Sequence, residues 1–588
     1  MTALLLVALA LKPAETAPLV HRLEPFGGLR GATAEVSLIG KNLQNFESIW
    51  FDTPDLRWIN TIEAKPEQVR GRIEIAPGAA LGPHLLYART RDGRTNSRLF
   101  NVLQFPTRAE AEPNDRREIA QPLTLQAQVV AGYLKDGPDV DFYRFTARAG
   151  ERWLFDLRSM EYGSHLECDL TLLDEQGKKV AFNDDRDDYL ETPLIEHTFA
   201  AAGTYYLKLD QYRGPQGVSC SNNCGYLLQI SQLHRVLSAY PLGAAPGATV
   251  KVELAGTGLD KLDAAELRAV RLSEYYRLTF PFTIPVHVRP DQPVTIGGRL
   301  EKDAVSFALP ASVPTGLYRL WTHSPAGWSD TLSFEVTAKP AAGERVIDGQ
   351  LTGARKELRY KLDGRRGQPI HAYTLAAQLG LPAMDTVLEL FDARGKLVAE
   401  HDDLMSGQGT VIGNPDSSLY YTPTADSPLE LVVRDRIGRT GPGFSFRLHV
   451  RSAIPGFTLL AEPEEFSLRR GAEAEFAALL IKEPGFAEAV DVWFEGLPPG
   501  VTAERGQFRA DQAFGPSGDG DNVLIPEVLL KVRAAADTAL GEHPIRLFAR
   551  RAGGGEPVEA FTTVWIGPHR NDIRRPLPAV TITVNEAR

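Results

Sequence analysis

The chain has 588 residues with 64 basic and 75 acidic side chains, a net charge of −11, so it lacks the broad basic surface that neutralises a nucleic-acid backbone. A hydrophobic content of 43% with 24% charged residues excludes general disorder, and the length, equivalent to about three to six domains, excludes a single folded unit. Fifty-two glycines and 41 prolines favour many turns over long helices, which predicts an all-β chain.

Met1 to Leu11 is an apolar run, shorter than the roughly 20 residues a spanning helix needs, and Ala8-Leu9-Ala10 is a small-residue cleavage pattern. Residues 1–19 therefore read as a signal-like N-terminus without the usual basic start, and they predict export to the periplasm, cell surface or medium. No later stretch is apolar for long enough to predict a membrane span.

From residue 20 the chain repeats itself. Pro25, Gly27, Gly31, Val36, Leu38, Gly40 and Leu43 recur as Pro241, Gly243, Gly247, Val252, Leu254, Gly256 and Leu259, an offset of 216 residues. Gly82, Gly93 and Phe100 recur as Gly316, Gly327 and Phe334 at an offset of 234, so the second copy carries 18 more residues between Leu259 and Gly316. Within that insertion Leu259–Leu272 has acidic residues early and apolar residues at mixed helical spacing, which predicts a short helix. In both copies Pro and Gly shape a turn, two apolar residues alternate inward, and a glycine breaks the strand. These openings, in a first unit at 20–104 and a third at 235–338, resemble immunoglobulin-like modules of the IPT/TIG type.

The second unit begins with Glu110-Ala-Glu112-Pro113-Asn114-Asp115. Pro113 favours an extended Glu112, and extended chain alternates its faces, so Glu110, Glu112 and Asn114 project together as hard oxygen ligands. Calcium takes roughly 6–8 oxygens, so a second donor segment is needed, and Asp139-Val140-Asp141 supplies a period-2 carboxylate pair. Magnesium fits less well, because it demands octahedral geometry and retains water. Strand patterns follow at Trp153, Phe155 and Leu157, and at Tyr205, Leu207 and Leu209.

Taken in order, E-x-E-P-N-D, D-x-D-F-Y, L-x-L-x-D-x-x-G, N-D-D and G-T-Y-Y resemble the bacterial pre-peptidase C-terminal (PPC) domain over residues 108–231. That resemblance implies a jelly-roll β-sandwich, similar to the collagen-binding modules of clostridial collagenases, of a kind appended to secreted peptidases and surface proteins. It also implies calcium held by Glu110, Glu112, Asn114, Asp115, Asp139 and Asp141, some through backbone carbonyls. On spacing alone, an acidic solvated linker is the alternative.

A fourth unit, 341–451, repeats the second loosely: Gly349–Leu351 follows Gly132–Leu134, Asp385–Asp392 follows Asp169–Asp174, and His401-Asp402-Asp403 follows Asn183-Asp184-Asp185. Ile347–Tyr360 lacks both acidic motifs, which predicts no linker calcium there. Asp385, Asp402, Asp403 and Asp416 read as solvated hairpins, as do Asn183, Asp184 and Asp185, although Asp187 and Asp188 leave a second ion open.

Cys220 and Cys224 predict a small disulfide loop in an exported chain; the alternatives pair Cys168 with one of them, or gather all three with His165 around zinc. In a fifth unit, 455–588, Val490, Val492 and Phe494 alternate before Gly496-Leu-Pro-Pro-Gly500-Val501, and Gly553-Gly554-Gly555 predicts a flexible hairpin. This ending resembles C-terminal immunoglobulin-like modules of secreted bacterial enzymes and surface proteins. Trp321 and Trp328, around a Pro-Ala-Gly turn, read as core aromatics before sugar platforms. No H-E-x-x-H, G-x-S-x-G or phosphate-binding motif supplies a catalytic residue.

The sequence thus predicts five tandem β-sandwich modules in an exported, non-catalytic, calcium-stabilised protein that binds extracellular protein or polysaccharide, or acts as a spacer. A peptidase-associated subunit, or an enzyme with its site at a module junction, is the rival.

Overall fold

The computed structural model describes residues 17–134, 139–186, 192–211, 213–214, 217–218, 223–270, 294–381, 384–402, 416–452, 455–462, 465–483, 485–513, 515–516, 523–566, 573–577 and 580–586. The described chain is all-β, with strands, turns and a few single 3-10 turns. No helix among the described residues is long and apolar enough to cross a membrane. The signal-like run to Leu11 lies outside the described residues.

In the first unit Leu19–Glu24, Thr33–Lys41, Gln68–Ile75 and Leu56–Lys65 form one sheet in that spatial order. Gly27–Leu29, Arg98–Leu103, Gly82–Thr90 and Phe46–Phe51 form the other. Val36, Leu38, Val69 and Ile73 meet Leu86, Phe100 and Val102 in one core, as alternation along sheets with one buried face requires. The repeated glycines have steric reasons. A Cβ on Gly40 or Gly256 would stand 1.9 Å from the carbonyl oxygen of Leu19 or Arg235, and Gly31 and Gly247 have φ of 77° and 80°, where side chains are disfavoured.

The third unit departs from the first. Ala264–Ala269 pairs with Thr295–Glu301, so eight strands run in one continuous path. The helix expected over Leu259–Leu272 is absent among the described residues: a 3-10 turn at Leu259–Lys261 leads into the strand Ala264–Ala269. Ala265 and Leu267 are buried at period 2, and the strand pairs with Gly316–Ser324 from Ala264 to Ala269. Sheet pairing prevailed over weak helical spacing.

The second and fourth units share a framework. Gln128–Tyr133, Gly225–Ser231 and Arg152–Arg158 are consecutive in one sheet of the second, as Arg345–Gln350, Ser445–Ser452 and Ile370–Leu375 are in the fourth. The opposite sheets place Val140–Ala147 beside Gly203–Gln211, and Glu357–Gly364 beside Ser427–Asp435. The pairs Ala147–Gly203 and Gly364–Ser427 end the two ladders, which makes Leu358 the counterpart of Asp141. By the same reasoning, Gly132 opposite Tyr226 matches Gly349 opposite Phe446. The fifth unit packs two six-stranded sheets around Phe466, Phe476, Val490, Val492 and Leu547.

The units are not beads on a string. The first core continues into Val129 and Leu227 of the second unit, with Trp321 and Trp328 of the third packed on it. The third core takes in Leu375, Leu379 and Leu381 of the fourth and Leu460 and Ile481 of the fifth. Arg152 donates to the Leu233 carbonyl (2.9 Å) and Thr257 Oγ1 (2.8 Å), tying the second unit to the third. Arg89 of the first unit donates to both oxygens of Glu542 in the fifth (2.9 and 2.7 Å), and the Tyr87 hydroxyl donates to the same carboxylate at 2.9 Å. The chain therefore folds back so that its first and last units touch.

Candidate metal centre

Strand Val140–Ala147 turns Asp141, Tyr143, Phe145 and Ala147 inward, so period 2 places a carboxylate at the end of an otherwise uncharged buried row. The incoming segment is pinned beside it. The Glu110 amide donates to the Ala131 carbonyl at 3.0 Å, Ala111 donates to Gln121 Oε1 at 2.9 Å, and the Phe142 amide donates to the Asn114 carbonyl at 2.9 Å. Residues 110–114 are not a strand, because pairing ends at Ala109. Glu110, Glu112 and Asn114 reach one side through this folded path and not through the extended alternation expected.

One carboxylate oxygen from each of Glu110, Glu112 and Asp141 lies within 4.8 Å of the others, and Glu112, Asp115 and Asp139 make a second such triad. Glu112 belongs to both, so the structure brings all five acids together. The Asn114 side chain is fully buried among them. Its amide has two orientations: with nitrogen inward it donates to Asp141 Oδ1 (3.0 Å) and Glu112 Oε2 (2.8 Å), and with oxygen inward it faces only other oxygens. Nitrogen inward suits a metal-free cluster, whereas oxygen inward is the arrangement a shared cation selects.

Electrostatics points the same way. Burial, followed by the Glu110 charge, pushes the Asp141 carboxyl up to about 10, and burial raises Glu110 as well. Two such acids are hard to ionise together without a cation between them. Their supports are specific: the Tyr133 amide donates to Glu110 Oε2 at 2.8 Å, and the Tyr226 hydroxyl donates to Asp141 and is itself hydrogen-bonded to Tyr143. Both tyrosines are fully buried.

The supporting roles of Tyr226, Tyr143 and Gly132 were missed by sequence reasoning, although Tyr143 ends the D-x-D-F-Y motif and Gly132 lies in the repeated Gly132–Leu134 tract. A Cβ on Gly132 would stand 2.2 Å from the Tyr226 hydroxyl and 2.8 Å from Glu110 Oε2. Gly132→Ala is expected to destabilise the chain by about 3 kcal/mol through overpacking. An unchanged urea midpoint would remove that role.

Elsewhere the expectations meet a mixed outcome. Asp416 is no solvated hairpin acid. It is fully buried and accepts the amides of Ala376 (2.7 Å), Ala377 (3.1 Å) and Gln378 (3.0 Å), closing the 3-10 turn Ala377–Leu379; burial pushes its carboxyl up to about 6. Asp385 lies 3.8 Å from Arg436. Among the described residues Asp184, Asp185, Asp385 and Asp402 join no group of His, Cys, Asp or Glu with ligand spacing, and Asp187, Asp188 and Asp403 lie outside the described residues.

Cys224 is disulfide-bonded and Cys168 is a buried thiol, which excludes both the Cys168 disulfide and the zinc alternative. Cys220 lies outside the described residues. Trp321 and Trp328 hold the Arg268 guanidinium between them, at 4.6 and 4.8 Å from their ring centres, and serve the junction with the first unit.

No family model matches the chain. Among curated proteins, a probable subtilase-type serine protease of Deinococcus radiodurans is 34% identical over 100 residues, 17% of this chain. The match spans 14% of that protein's length. Among solved structures, the pre-peptidase C-terminal domain of a Bacillus anthracis collagenase is 20% identical, with 21% of this chain and 99% of that one covered at a TM-score of 0.15. Native E. coli alpha-2-macroglobulin is 12% identical, with 97% of this chain and 36% of that one covered at a TM-score of 0.13.

Proposed function

We propose that the chain is an exported, non-catalytic binding protein whose second unit takes up calcium where residues 110–115 meet residues 139–141. The observation that supports this best is the meeting of a buried carboxylate, Asp141, and a half-buried one, Glu110, with Glu112 and a buried Asn114 amide. Six oxygen-bearing side chains suit calcium, with Glu110, Glu112, Asn114, Asp115, Asp139 and Asp141 as its holders. The ion would supply positive charge; the protein supplies a preset cradle built by Tyr226, Tyr133 and Gln121. Neutralised in this way, the segment after residue 107 would lock onto strand Val140–Ala147 and hold the second unit at one angle to the first.

The fourth unit argues that these acids are not demanded by the fold, because Leu358 stands where Asp141 does and Phe446 where Tyr226 does. The disulfide at Cys224 favours an oxidising compartment. The closed contact between first and last units weighs against a pure spacer. A second reading, a peptidase-associated subunit, draws on the 100-residue likeness to a subtilase-type protease.

The test is calorimetric. A calcium level of 100 times Kd should stabilise the full chain by about 2.7 kcal/mol and raise its Tm by several degrees. Equal melting curves in calcium and in chelator would sink the reading.

A further inference from the structure

We infer that Trp493, Arg505 and Arg550 form a platform for an acidic polysaccharide on the outer face of the fifth unit. This rests on the binding role proposed above, gives it a partner, and uses residues of a different unit from the ion. In strand Val490–Glu495, Val490 and Val492 point into the core, which turns Asp491, Trp493 and Glu495 outward. Trp493 faces Phe548 of strand Gly541–Arg551, and the two rings stack at 6.0 Å with 22° between their planes. Arg505 and Arg550 each hold a guanidinium carbon 5.7 Å from the indole centre.

The charges on this face divide unequally. Arg546 is engaged by both oxygens of Glu559 at 2.7 Å, Glu495 accepts the Trp493 indole N–H at 3.0 Å, and Asp491 accepts the Gln507 amide at 2.7 Å. Each carboxylate beside the indole thus already accepts a hydrogen bond, and Asp491, although opposite Arg550 in the ladder, forms no ion pair with it among the described residues. Arg505 and Arg550 are exposed, and among the described residues neither forms an ion pair with a carboxylate. In a chain of net charge −11, two exposed guanidinium groups without carboxylate partners over one indole form a local exception.

That combination fits one chemistry. A sugar ring lays its C–H face on a flat aromatic, and a uronate carboxylate meets a guanidinium through paired N–H donors. An acidic peptide fits less well. It would seek an edge strand to extend, and the edge here, Gly506–Phe508, is three residues long.

The experiment is isothermal titration of the full chain with a hexa-uronate and with its methyl ester, in calcium and in chelator. The acid should bind at least about tenfold more tightly than the ester, in both buffers. Arg505→Ala with Arg550→Ala, both exposed, should weaken it about tenfold, and Trp493→Ala should abolish it. Equal binding of acid and ester, undiminished binding by the arginine variant, or equal binding of poly-glutamate would each overturn the inference. Because the ion centre is in the second unit, a chain blind to calcium that still binds uronate would refute only the calcium proposal.

Discussion

Asp141→Leu combined with Tyr226→Phe is expected to yield a chain about 2 kcal/mol more stable in chelator than the parent, and indifferent to calcium. The pair installs in the second unit what the fourth unit already carries, Leu358 and Phe446 at the matching ladder positions. Without metal the parent buries the Asp141 carboxyl beside Glu110, a polar group taken from water with the Tyr226 hydroxyl and the Asn114 amide as its neutral partners. Hydrocarbon of similar volume removes that desolvation penalty, and replacing buried polar clusters in this way is often stabilising by about 1–4 kcal/mol. It also removes the ligand at the meeting point of the two segments. Thermal melts of parent and variant, each in calcium and in chelator, check both halves. A variant that still gains several degrees with calcium would show that the ion is held elsewhere.

Arg447→Met should cost about 4 kcal/mol at neutral pH, because it strands a buried acid, Glu335, and a half-buried one, Asp348, at the junction of the third and fourth units. The Arg447 side chain is 5% exposed and donates to Glu335 at 2.6 Å and Asp348 at 2.7 Å, while His449 lies 2.9 Å from the same Glu335 oxygen. Burial pushes Glu335 up, but the His449 hydrogen bond and charge, with that of Arg447, outweigh it and hold the carboxyl at about 2 instead of 4.5. A depressed carboxyl stabilises the folded state fully above its unfolded pKa of 4.5 and loses that contribution as pH falls through 2, here roughly 3 kcal/mol. Asp348 is raised, since its burial exceeds its bond to Arg447, and it opposes part of this trend. The gap between parent and variant should therefore be widest above pH 4.5 and narrow toward pH 2, as urea titrations at both ends would register. A gap below about 1 kcal/mol at pH 7 would mean that water reaches the cluster.

Period-2 runs such as Tyr205, Leu207 and Leu209 announce their strands because alternation is a property of a few consecutive residues. Gly40 and Gly256 are legible for the same reason, since a strand that touches a neighbouring carbonyl tolerates no side chain. The acids at 110–115 and 139–141 stand out by composition. Their cradle does not: Tyr226 lies 85 residues from Asp141, and nothing in a G-Y-L-L-Q-I strand distinguishes a core tyrosine from one whose hydroxyl supports a carboxylate. Asp416 is the reverse case, an acid that looks like loop decoration and becomes a buried acceptor for three amides.

By itself the amino-acid order determined the all-β character, the twofold recurrence of two kinds of unit and the acidic residues from which an ion centre can be built. All of these depend on neighbours within a turn or a strand. Tertiary structure alone decided that Leu358 occupies the place of Asp141, that Trp321 and Trp328 clasp an arginine at a junction, and that Glu542 reaches Arg89 across 453 residues of chain. The reason is that register and docking select partners by shape and charge in three dimensions, where distance along the chain carries no information.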